Sequence, residues 1–282
     1  MTIAEALQRG TALLQESGSP SARLDAEVLL AHVLGLRRVD LYARPMQALT
    51  PVEEAAFQSL LRRRAEQEPV SYLVGKKEFF GLTLLLDRRV MIPRPETEVL
   101  VERALACARA LERDPLLIAD IGTGSGCIVV ALAHALPRAR FYATDISPEA
   151  GEVARENFRR HGLEERVIFL EGDLCAVLPE RVDLLVSNPP YTVWERLPAG
   201  ITAYEPRPAL DGGPDGLSVY RRLLPQIPEY VRPGGFALLE LGDGQAEAVS
   251  ALAREACPGC PQRTWPDYAG IERVLEIQVL TA

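Results

Sequence analysis

The sequence predicts an α/β protein in which a small helical bundle is followed by a mainly parallel β-sheet with helices on both faces. From residue 116 onward, short apolar runs alternate with segments of helical periodicity, which is the pattern of a parallel sheet covered by helices. Before residue 69, apolar residues recur mainly at helical spacing. Because 282 residues are many for a single domain, two domains are expected.

Residues 1–68 are predicted to form the helical bundle. Two threonines are each followed three residues later by a glutamate, the spacing of a capping box at a helix start: Thr2 with Glu5, and Thr50 with Glu53. Between them, a helix is predicted to begin at Ser21 and to end at Gly35.

Residues 69–95 are predicted to be a β-hairpin that connects the bundle to the larger domain. Short β-rich runs lie on both sides of Gly75-Lys76-Lys77, so the turn is expected there. Pro93-Arg94-Pro95 then stiffens the backbone, and a helix with a broad apolar stripe begins at about Thr97.

The larger domain, residues 96–282, contains the alternating elements. The strand candidates are 116–121, 139–144, 167–170, 182–186, 235–241 and 274–280. The helix candidates after the first helix are 127–136, 148–161, 217–229 and 244–255. Ligands in such sheets bind outside the carboxyl ends of the strands, so the loops that follow strands are the candidate site.

The charge balance argues against a broad nucleic-acid-binding surface. The formal net charge is −8 and the isoelectric point is near 5.1. The arginine clusters Arg37-Arg38 and Arg62-Arg63-Arg64 lie among a similar number of acidic residues, which is typical of a solvated helix face. No direct contact with nucleic acid is therefore expected.

The five cysteines are scattered and are expected to be reduced thiols. Cys257 and Cys260 have the spacing of half a zinc site, but no second pair or nearby histidine completes it, so no metal is predicted. The sequence contains neither a basic and apolar leader nor an apolar run of about 18 residues. We therefore expect a cytoplasmic protein with no membrane partner.

A glycine-rich loop follows the first strand of the larger domain and opens a helix. It spans Asp120 to Gly126 with the spacing G-x-G-x-G, whereas nicotinamide and flavin enzymes use G-x-G-x-x-G with a pyrophosphate at the helix start. Asp120 would repel a pyrophosphate but suits a cationic or amine-bearing ligand. The loop alone leaves a dehydrogenase as the competing interpretation.

Acidic residues also end the next two strands. Asp145 lies 23 residues after Gly122 (145 minus 122), where its carboxylate can accept both hydroxyls of a ribose. Asp173 and Leu174 follow the third strand and suit the amino group and the ring of an adenine. A ligand with an adenine, a ribose and a sulfonium fits better than one with phosphates, so S-adenosylmethionine is predicted.

The loop Asn188-Pro189-Pro190-Tyr191 follows the fourth strand. Its two prolines have no N–H, so the loop presents carbonyl oxygens beside an amide oxygen and the flat face of a tyrosine ring. Such a loop accepts hydrogen bonds from a planar NH2 group. An ordinary Pro-Pro loop entry is the alternative.

Together these motifs resemble the class I S-adenosylmethionine-dependent methyltransferases, which have a Rossmann-like seven-stranded sheet, and among them the bacterial release factor glutamine methyltransferases of the HemK/PrmC family. The resemblance covers essentially the full length. It rests on Gly75 to Gly81, Ile92 to Glu98, Asp120 to Gly126, Asn188 to Tyr191, Glu205 to Gly213, and Asp215 to Leu217.

The resemblance implies methylation of the side-chain amide of the glutamine in the Gly-Gly-Gln tripeptide of class 1 peptide chain release factors. It implies that Gly122, Thr123, Gly124, Ser125 and Gly126 hold the methionine portion of the cofactor, Asp145 the ribose, and Asp173 with Leu174 the adenine, with Asn188 beside them. Asn188 and the Pro189 carbonyl are expected to accept from the glutamine NH2, Tyr191 to pack on the carboxamide, and Pro190 to complete the substrate loop. Arg94, Pro95, Thr97 and Glu98 are expected to close one side of the pocket, or only to start the helix.

Other functions stay open at this level. A ribosomal-protein glutamine methyltransferase shares the Asn-Pro-Pro-Tyr loop and differs mainly in its N-terminal domain. A nucleic-acid amino methyltransferase acts on a planar NH2 of similar shape, although the acidic balance counts against it. A non-catalytic binding module would not need the loop. We expect a monomer whose partner is a release factor.

Overall fold

A computed structural model describes residues 1–280, so the last two residues of the predicted domain 96–282 lie outside the described part. The chain divides into two compact units, one from Met1 to Lys76 and the other from Lys77 onward. The division falls inside the segment 69–95 that was predicted to be a connector. None of the helices within residues 1–280 has both the length and the apolar character needed to span a bilayer.

The first unit, residues 1–76, is helical. Its helices are α1 (Ile3–Glu16), α2 (Ala22–Leu34), α3 (Arg38–Ala43), α4 (Pro51–Ala65) and α5 (Val70–Val74). Both predicted capping boxes form, at the starts of α1 and α4, and satisfy backbone N–H groups that the first turn leaves unpaired. Gly35 ends α2 in the left-handed conformation, as predicted. Leu14, Leu29 and Phe57 lie in the buried core of this unit.

The predicted hairpin exists, but its turn is not at Gly75-Lys76-Lys77. Residues before Gly75 form α5, and the hairpin strands are β1 (Lys76–Phe79) and β2 (Leu82–Leu85). Phe80 and Gly81 have φ angles of 51° and 74°, the two positive values that a tight type I′ hairpin turn requires. The β-branched residues around residue 70 were misleading because Pro69 starts a helical turn and Gly75 ends it.

One sheet of seven strands, all within residues 1–280, forms the centre of the second unit. The strands are β3 (Leu117–Ile121), β4 (Arg140–Asp145), β5 (Val167–Glu171), β6 (Val182–Ser187), β7 (Val231–Glu240), β8 (Gln262–Pro266) and β9 (Glu272–Gln278). Their order is β5-β4-β3-β6-β7-β9-β8. Neighbours are parallel except at β9, which pairs antiparallel with β7 and β8. The fold prediction is confirmed. The edge strand β8 was missing from the strand candidates because its partly exposed side chains are mostly polar or aromatic.

Helices cover both faces of the sheet. One face packs against α6 (Thr97–Ala110), α7 (Cys127–Ala135) and α8 (Pro148–Arg160), and the other against α10 (Ser218–Leu223), α11 (Ile227–Tyr230) and α12 (Ala246–Ala256). A short helix, α9 (Ala199–Thr202), lies in the loop after β6. The predicted helix 217–229 is broken, because Pro225 and Pro228 interrupt the helical hydrogen bonds and a 3-10 turn separates α10 from α11.

The strand order changes direction between β3 and β6. Strand β3 pairs with β4 on one side and with β6 on the other, so the loops that follow these strands diverge and leave a crevice at the carboxyl edge. The Ser187 hydroxyl donates to the Ile121 carbonyl at 2.7 Å and joins the ends of β3 and β6. The glycine-rich loop and the Asn-Pro-Pro-Tyr loop therefore begin side by side.

Asn157 connects the hairpin to the glycine-rich loop from the buried side of α8. Its Oδ1 accepts from the Leu85 N–H at 2.7 Å, and its Nδ2 donates to the carbonyls of Leu85 at 3.0 Å and Ser125 at 2.9 Å. The side chain is fully buried. These three bonds satisfy backbone groups of Leu85, which is partly buried, and of Ser125, which is buried.

Replacing this side chain tests the connection. We expect Asn157→Ala to lower the free energy of unfolding by about 3 kcal/mol, because it leaves buried backbone groups without partners. Urea unfolding followed by circular dichroism measures the change. Glu164→Ala, at an exposed position just after the same helix, is the control and should unfold like the wild type. Equal unfolding midpoints for the two variants would contradict this role of Asn157.

Candidate active site

A cavity of about 350 Å³ opens at the carboxyl edge of the sheet, in the crevice between β3 and β6. Its wall includes residues from the loops after β3, β4, β5 and β6, four of the five parallel strands that end at this edge. Most residues predicted to bind the cofactor or substrate line it: Gly122, Thr123, Gly124, Ser125, Asp145, Asp173, Leu174, Asn188 and Pro190. The topology thus brings together predicted site residues that are up to 68 positions apart in the chain (190 minus 122).

The glycine-rich loop is held in shape by β4. The N–H groups of Gly122 and Thr123 both donate to the Thr144 carbonyl, at 2.9 and 2.8 Å. Gly126 differs from the prediction, because it caps α7 and is not among the residues that line the cavity. A Cβ on Gly126 would lie 2.5 Å from the Phe158 ring, so this glycine allows α7 to pack against α8.

Asp145 ends β4 and lies in the cavity wall. Its carboxylate accepts from the backbone N–H groups of Gly124 and Ser147, each at 2.9 Å. Burial raises the pKa of Asp145, while these N–H groups act in the opposite direction. The side chain therefore fixes the glycine-rich loop and also offers oxygen acceptors to a ligand.

Asp120 does not have the predicted role. Its side chain is 0% exposed and does not line the cavity, so it is not available to a cationic ligand. Its Oδ2 accepts from the Thr123 hydroxyl at 2.7 Å. Burial raises the pKa of Asp120 to about 7, Thr123 lowers it and Asp145 raises it. Asp120 thus holds the glycine-rich loop from behind.

Asp173 and Leu174 line the cavity, but Asp173 is paired. Its carboxylate forms a salt bridge with Arg222, which also lines the cavity. Leu174 has a φ of 52°, a conformation that is uncommon for a branched side chain, and its carbonyl accepts from the Thr144 hydroxyl at 3.3 Å. The backbone therefore directs this leucine into the wall.

A second cavity of about 200 Å³ adjoins the first. Pro189 and Tyr191 line the second cavity, Pro190 lines the first, and Asn188 lines both. The four residues of the loop thus form the boundary between the two spaces. Such a boundary is expected where a methyl donor bound in one cavity meets an NH2 group bound in the other.

The side chains of Asn188 and Tyr191 are tied to buried polar groups. Asn188 Nδ2 donates to Thr97 Oγ1 at 3.1 Å, and the Tyr191 hydroxyl donates to Glu240 Oε1 at 2.9 Å. Burial raises the pKa of Tyr191, as do the charge of Glu240 and the hydrogen bond to it. Glu240 could not be identified from the sequence, because one acid at the end of an apolar strand has no motif around it.

Of the four residues predicted to close one side of the pocket or only to start the helix, two line a cavity. Thr97 lines the first cavity and Arg94 the second, whereas Pro95 lines neither. Glu98 instead accepts from the N–H of Phe80 at 2.9 Å and so holds the hairpin turn.

A loop after β6 holds the Asn-Pro-Pro-Tyr backbone in place. A Cβ on Gly212 would lie 2.8 Å from the Tyr191 Cα, and one on Gly216 would lie 2.4 Å from the Tyr191 carbonyl oxygen. Gln245 Nε2 donates to the same oxygen at 2.9 Å. The buried Glu205 accepts from Arg94 and from the N–H of Ile92. The glycines of the segments 205–213 and 215–217 were the available signal for this close packing.

No group of three or more histidine, cysteine, aspartate and glutamate side chains in the described residues 1–280 is arranged to hold a metal ion. Cys257 is buried, and burial raises the pKa of its thiol to about 11. A thiol of that kind is mostly protonated at neutral pH and is a poor nucleophile.

Comparison with known proteins identifies the family. A model described as the PrmC N-terminal domain matches residues 5–75, and one described as the methyltransferase small domain matches residues 101–201. A release factor glutamine methyltransferase of Moorella thermoacetica is 46% identical over 277 residues and covers 97% of both chains. One of Geobacter sulfurreducens is 45% identical over 278 residues, covering 97% of this chain and 95% of the relative. The chain belongs to the release factor glutamine methyltransferase family.

Solved structures support the fold of this family member. A methyltransferase from Pyrococcus furiosus has a TM-score of 0.53 at 18% identity and covers 79% of this chain and 98% of its own. The catalytic domain of hMettl16, in complex with a MAT2A 3′UTR hairpin, has a TM-score of 0.58 at 16% identity and covers 79% of this chain and 82% of its own. At these identities the likeness concerns the sheet and its helices.

The residues of the first cavity fit S-adenosylmethionine, the methyl donor of such enzymes. Two glycines with positive φ, Gly122 and Gly124, let the loop backbone approach a ligand closely. Asp145 offers acceptors for ribose hydroxyls, and Leu174 with Ile146 offers apolar surface for a ring. Ile146 is 63% exposed, so its side chain is accessible to a ligand in this cavity.

Asp145 provides a test of the first cavity. We expect Asp145→Ala to weaken binding of S-adenosylhomocysteine about ten- to hundredfold, because it removes a charged acceptor and frees the glycine-rich loop. Isothermal titration calorimetry measures the affinity. Asp243→Ala, an exposed acid in a loop that does not line the cavity, is the matched control and should bind normally. Unchanged affinity in the Asp145 variant would contradict the placement of the ligand.

Proposed function

We propose that the chain transfers the methyl group of S-adenosylmethionine to the side-chain amide nitrogen of the glutamine in the Gly-Gly-Gln tripeptide of class 1 peptide chain release factors. One observation carries the proposal: Asn188 lies in the walls of both cavities, with Pro189 in the wall of the second. A planar NH2 group that enters the second cavity meets acceptors at the boundary with the first.

An amide nitrogen is a weak nucleophile because its lone pair is delocalised into the carbonyl group. Positioning must therefore replace a general base. Asn188 Oδ1 and the Pro189 carbonyl each accept one N–H of the glutamine, which aims the nitrogen at the first cavity and increases its electron density as the reaction proceeds. Bound S-adenosylmethionine supplies a methyl group activated by a positively charged sulfur.

Tyr191 completes the acceptor site. Its ring lines the second cavity and can pack on the flat face of the carboxamide. Its hydroxyl is engaged with Glu240, and its raised pKa keeps it protonated, so Tyr191 is a platform and not a base. The surplus proton leaves the nitrogen to water after methylation, when the nitrogen has become acidic.

The N-terminal unit favours a release factor over a ribosomal protein as the substrate. The model described as the PrmC N-terminal domain covers nearly all of this unit, and the two kinds of glutamine methyltransferase differ mainly there. The relatives that match along the full chain are called release factor glutamine methyltransferases.

A nucleic-acid substrate is less consistent with the surface of this unit. Four arginines of the two predicted clusters have acidic partners: Arg37 with Asp40, Arg38 with Glu27, Arg63 with Glu68, and Arg64 with Asp25. Paired guanidinium groups add little to phosphate binding. We place the reaction in the cytoplasm, with the release factor as partner. The monomeric state stays a prediction from the sequence.

The substrate can be identified directly. The chain is incubated with isotope-labelled S-adenosylmethionine and with full-length release factor, ribosomes or total RNA in separate reactions. Mass spectrometry is expected to locate one methyl group on the glutamine of the Gly-Gly-Gln tripeptide. A release factor left without label, while a ribosomal protein or RNA is methylated, would contradict the proposal.

Asn188→Ala tests the acceptor role. We expect a loss of methyl transfer of about a hundredfold or more, because the nitrogen loses one of its two positioning bonds. Affinity for S-adenosylhomocysteine should stay within a few fold, since Asn188 is only one of many residues in the first cavity. Turnover close to that of the wild type would rule out the acceptor role.

A further inference from the structure

We infer that Glu240 is a positioning residue with two effects. Through Thr97 it determines which end of the Asn188 carboxamide faces the substrate amide, and it anchors Tyr191 directly. This inference rests on the proposed function, because it concerns how the acceptor loop is held. Glu240 lines neither cavity, so it acts only through these neighbours.

Glu240 is the last residue of β7, next to the end of β6 in the sheet. Its side chain is 0% exposed. Oε1 accepts from the Tyr191 hydroxyl at 2.9 Å, whereas Oε2 is buried with no close hydrogen-bond partner in the described part of the chain. A buried carboxylate oxygen attracts any nearby donor proton, since leaving it unpaired is costly.

The donor that we infer is Thr97. Burial raises the pKa of Glu240, and the Thr97 hydroxyl acts in the opposite direction. A hydroxyl has one proton to donate and lone pairs to accept. When the proton points to Glu240, Thr97 Oγ1 can only accept from its other neighbour, Asn188, at 3.1 Å.

This polarity fixes the orientation of the Asn188 side chain. The two ends of a carboxamide have nearly the same shape, so shape alone does not choose between them. Because Thr97 must accept, the NH2 group of Asn188 turns toward Thr97. Asn188 Oδ1 is then left to accept a hydrogen bond from the NH2 group of the substrate. The reversed carboxamide would present donors to the NH2 group of the substrate and would repel it.

The same acid anchors the other end of the loop. The Tyr191 hydroxyl bond to Glu240 holds the ring in the wall of the second cavity, while Gln245 and the close glycines hold its backbone. One buried carboxylate thus connects an acceptor and a platform that are three residues apart in the loop (191 minus 188).

The orientation should depend on the charge of Glu240. Burial raises its pKa to about 7, against the effects of Thr97, Tyr191 and Arg273. The groups that face it from the surrounding elements are Glu96 and Thr97 at the start of α6, Tyr191 after β6, Tyr220 on α10 and Arg273 on β9. Below the pKa, a protonated carboxyl can donate to Thr97, whose own proton then turns toward Asn188. Activity should therefore fall as the pH falls through about 7.

The first experiment compares Thr97→Val with Thr97→Ser in the full-length chain with S-adenosylmethionine and release factor. Valine keeps the shape but removes the hydroxyl, so kcat is expected to fall about tenfold or more while affinity for S-adenosylhomocysteine stays within a few fold. Serine restores the hydroxyl and is expected to recover most of the lost kcat. Equal kcat values for the two variants would overturn the inference.

The second experiment uses Glu240→Gln, which keeps the shape but removes the charge. We expect kcat to be low and to have lost the rise with pH near 7. Asp183→Asn is the matched control, a fully buried acid near the opposite end of β6 that lines neither cavity. It should reduce stability but keep kcat and its pH profile. An unchanged pH profile in the Glu240 variant would also overturn the inference.

A third measurement does not depend on turnover. The chain contains two asparagines, Asn157 and Asn188, so selective ¹⁵N-asparagine labelling gives two side-chain NH2 signals in NMR spectra. In the wild type, hydrogen exchange of the Asn188 NH2 should be slow. It should be about tenfold or more faster in Thr97→Val and Glu240→Gln, with Asn157 as the unchanged internal reference. If the wild type leaves release factor unmethylated, the proposed function fails and this exchange rate alone decides the orientation. Equal exchange rates in all three proteins would refute it.

Discussion

An acceptor site for a planar NH2 must present hydrogen-bond acceptors and no donors, and most of the features around residue 188 serve this constraint. Two consecutive prolines remove the backbone N–H groups that would compete with the substrate. Glycines at 212 and 216 allow a second loop to approach the backbone of Tyr191 closely and hold it. The donor end of the Asn188 carboxamide is engaged by Thr97. What remains of this loop toward the second cavity are oxygen atoms and a flat ring.

Carboxylates at the ends of three strands, two of them fully buried and one in the cavity wall, hold the loops that form the site. Asp120 near the end of β3 bonds Thr123, Asp145 at the end of β4 bonds the backbone of the glycine-rich loop, and Glu240 at the end of β7 bonds Tyr191. Burial raises the pKa of all three acids. Burial of a carboxylate reduces the stability of the fold unless hydrogen-bond donors compensate for it. Each of these acids therefore favours the loop conformation that places its donor within hydrogen-bond distance.

The sequence predicted the architecture and much of the site, because these depend on local patterns. Alternating apolar runs indicated the sheet, and strand-end motifs indicated Asp145 and the Asn188 loop. Errors arose where a residue's direction depends on distant neighbours. Asp120 was expected in the cavity but is buried behind it, Gly126 packs against α8, and the hairpin turn lies at Phe80 instead of Gly75. Glu240 was missed because only the pairing of β6 with β7 places it beside Tyr191.

The most direct test of the account is a crystal structure of the chain with S-adenosylhomocysteine and a Gly-Gly-Gln peptide. We expect the glutamine side chain in the second cavity, with its amide nitrogen about 2.7–3.2 Å from both Asn188 Oδ1 and the Pro189 carbonyl oxygen. The nitrogen should point into the first cavity. A glutamine bound elsewhere, or one whose carbonyl oxygen accepts from the NH2 group of Asn188, would contradict it.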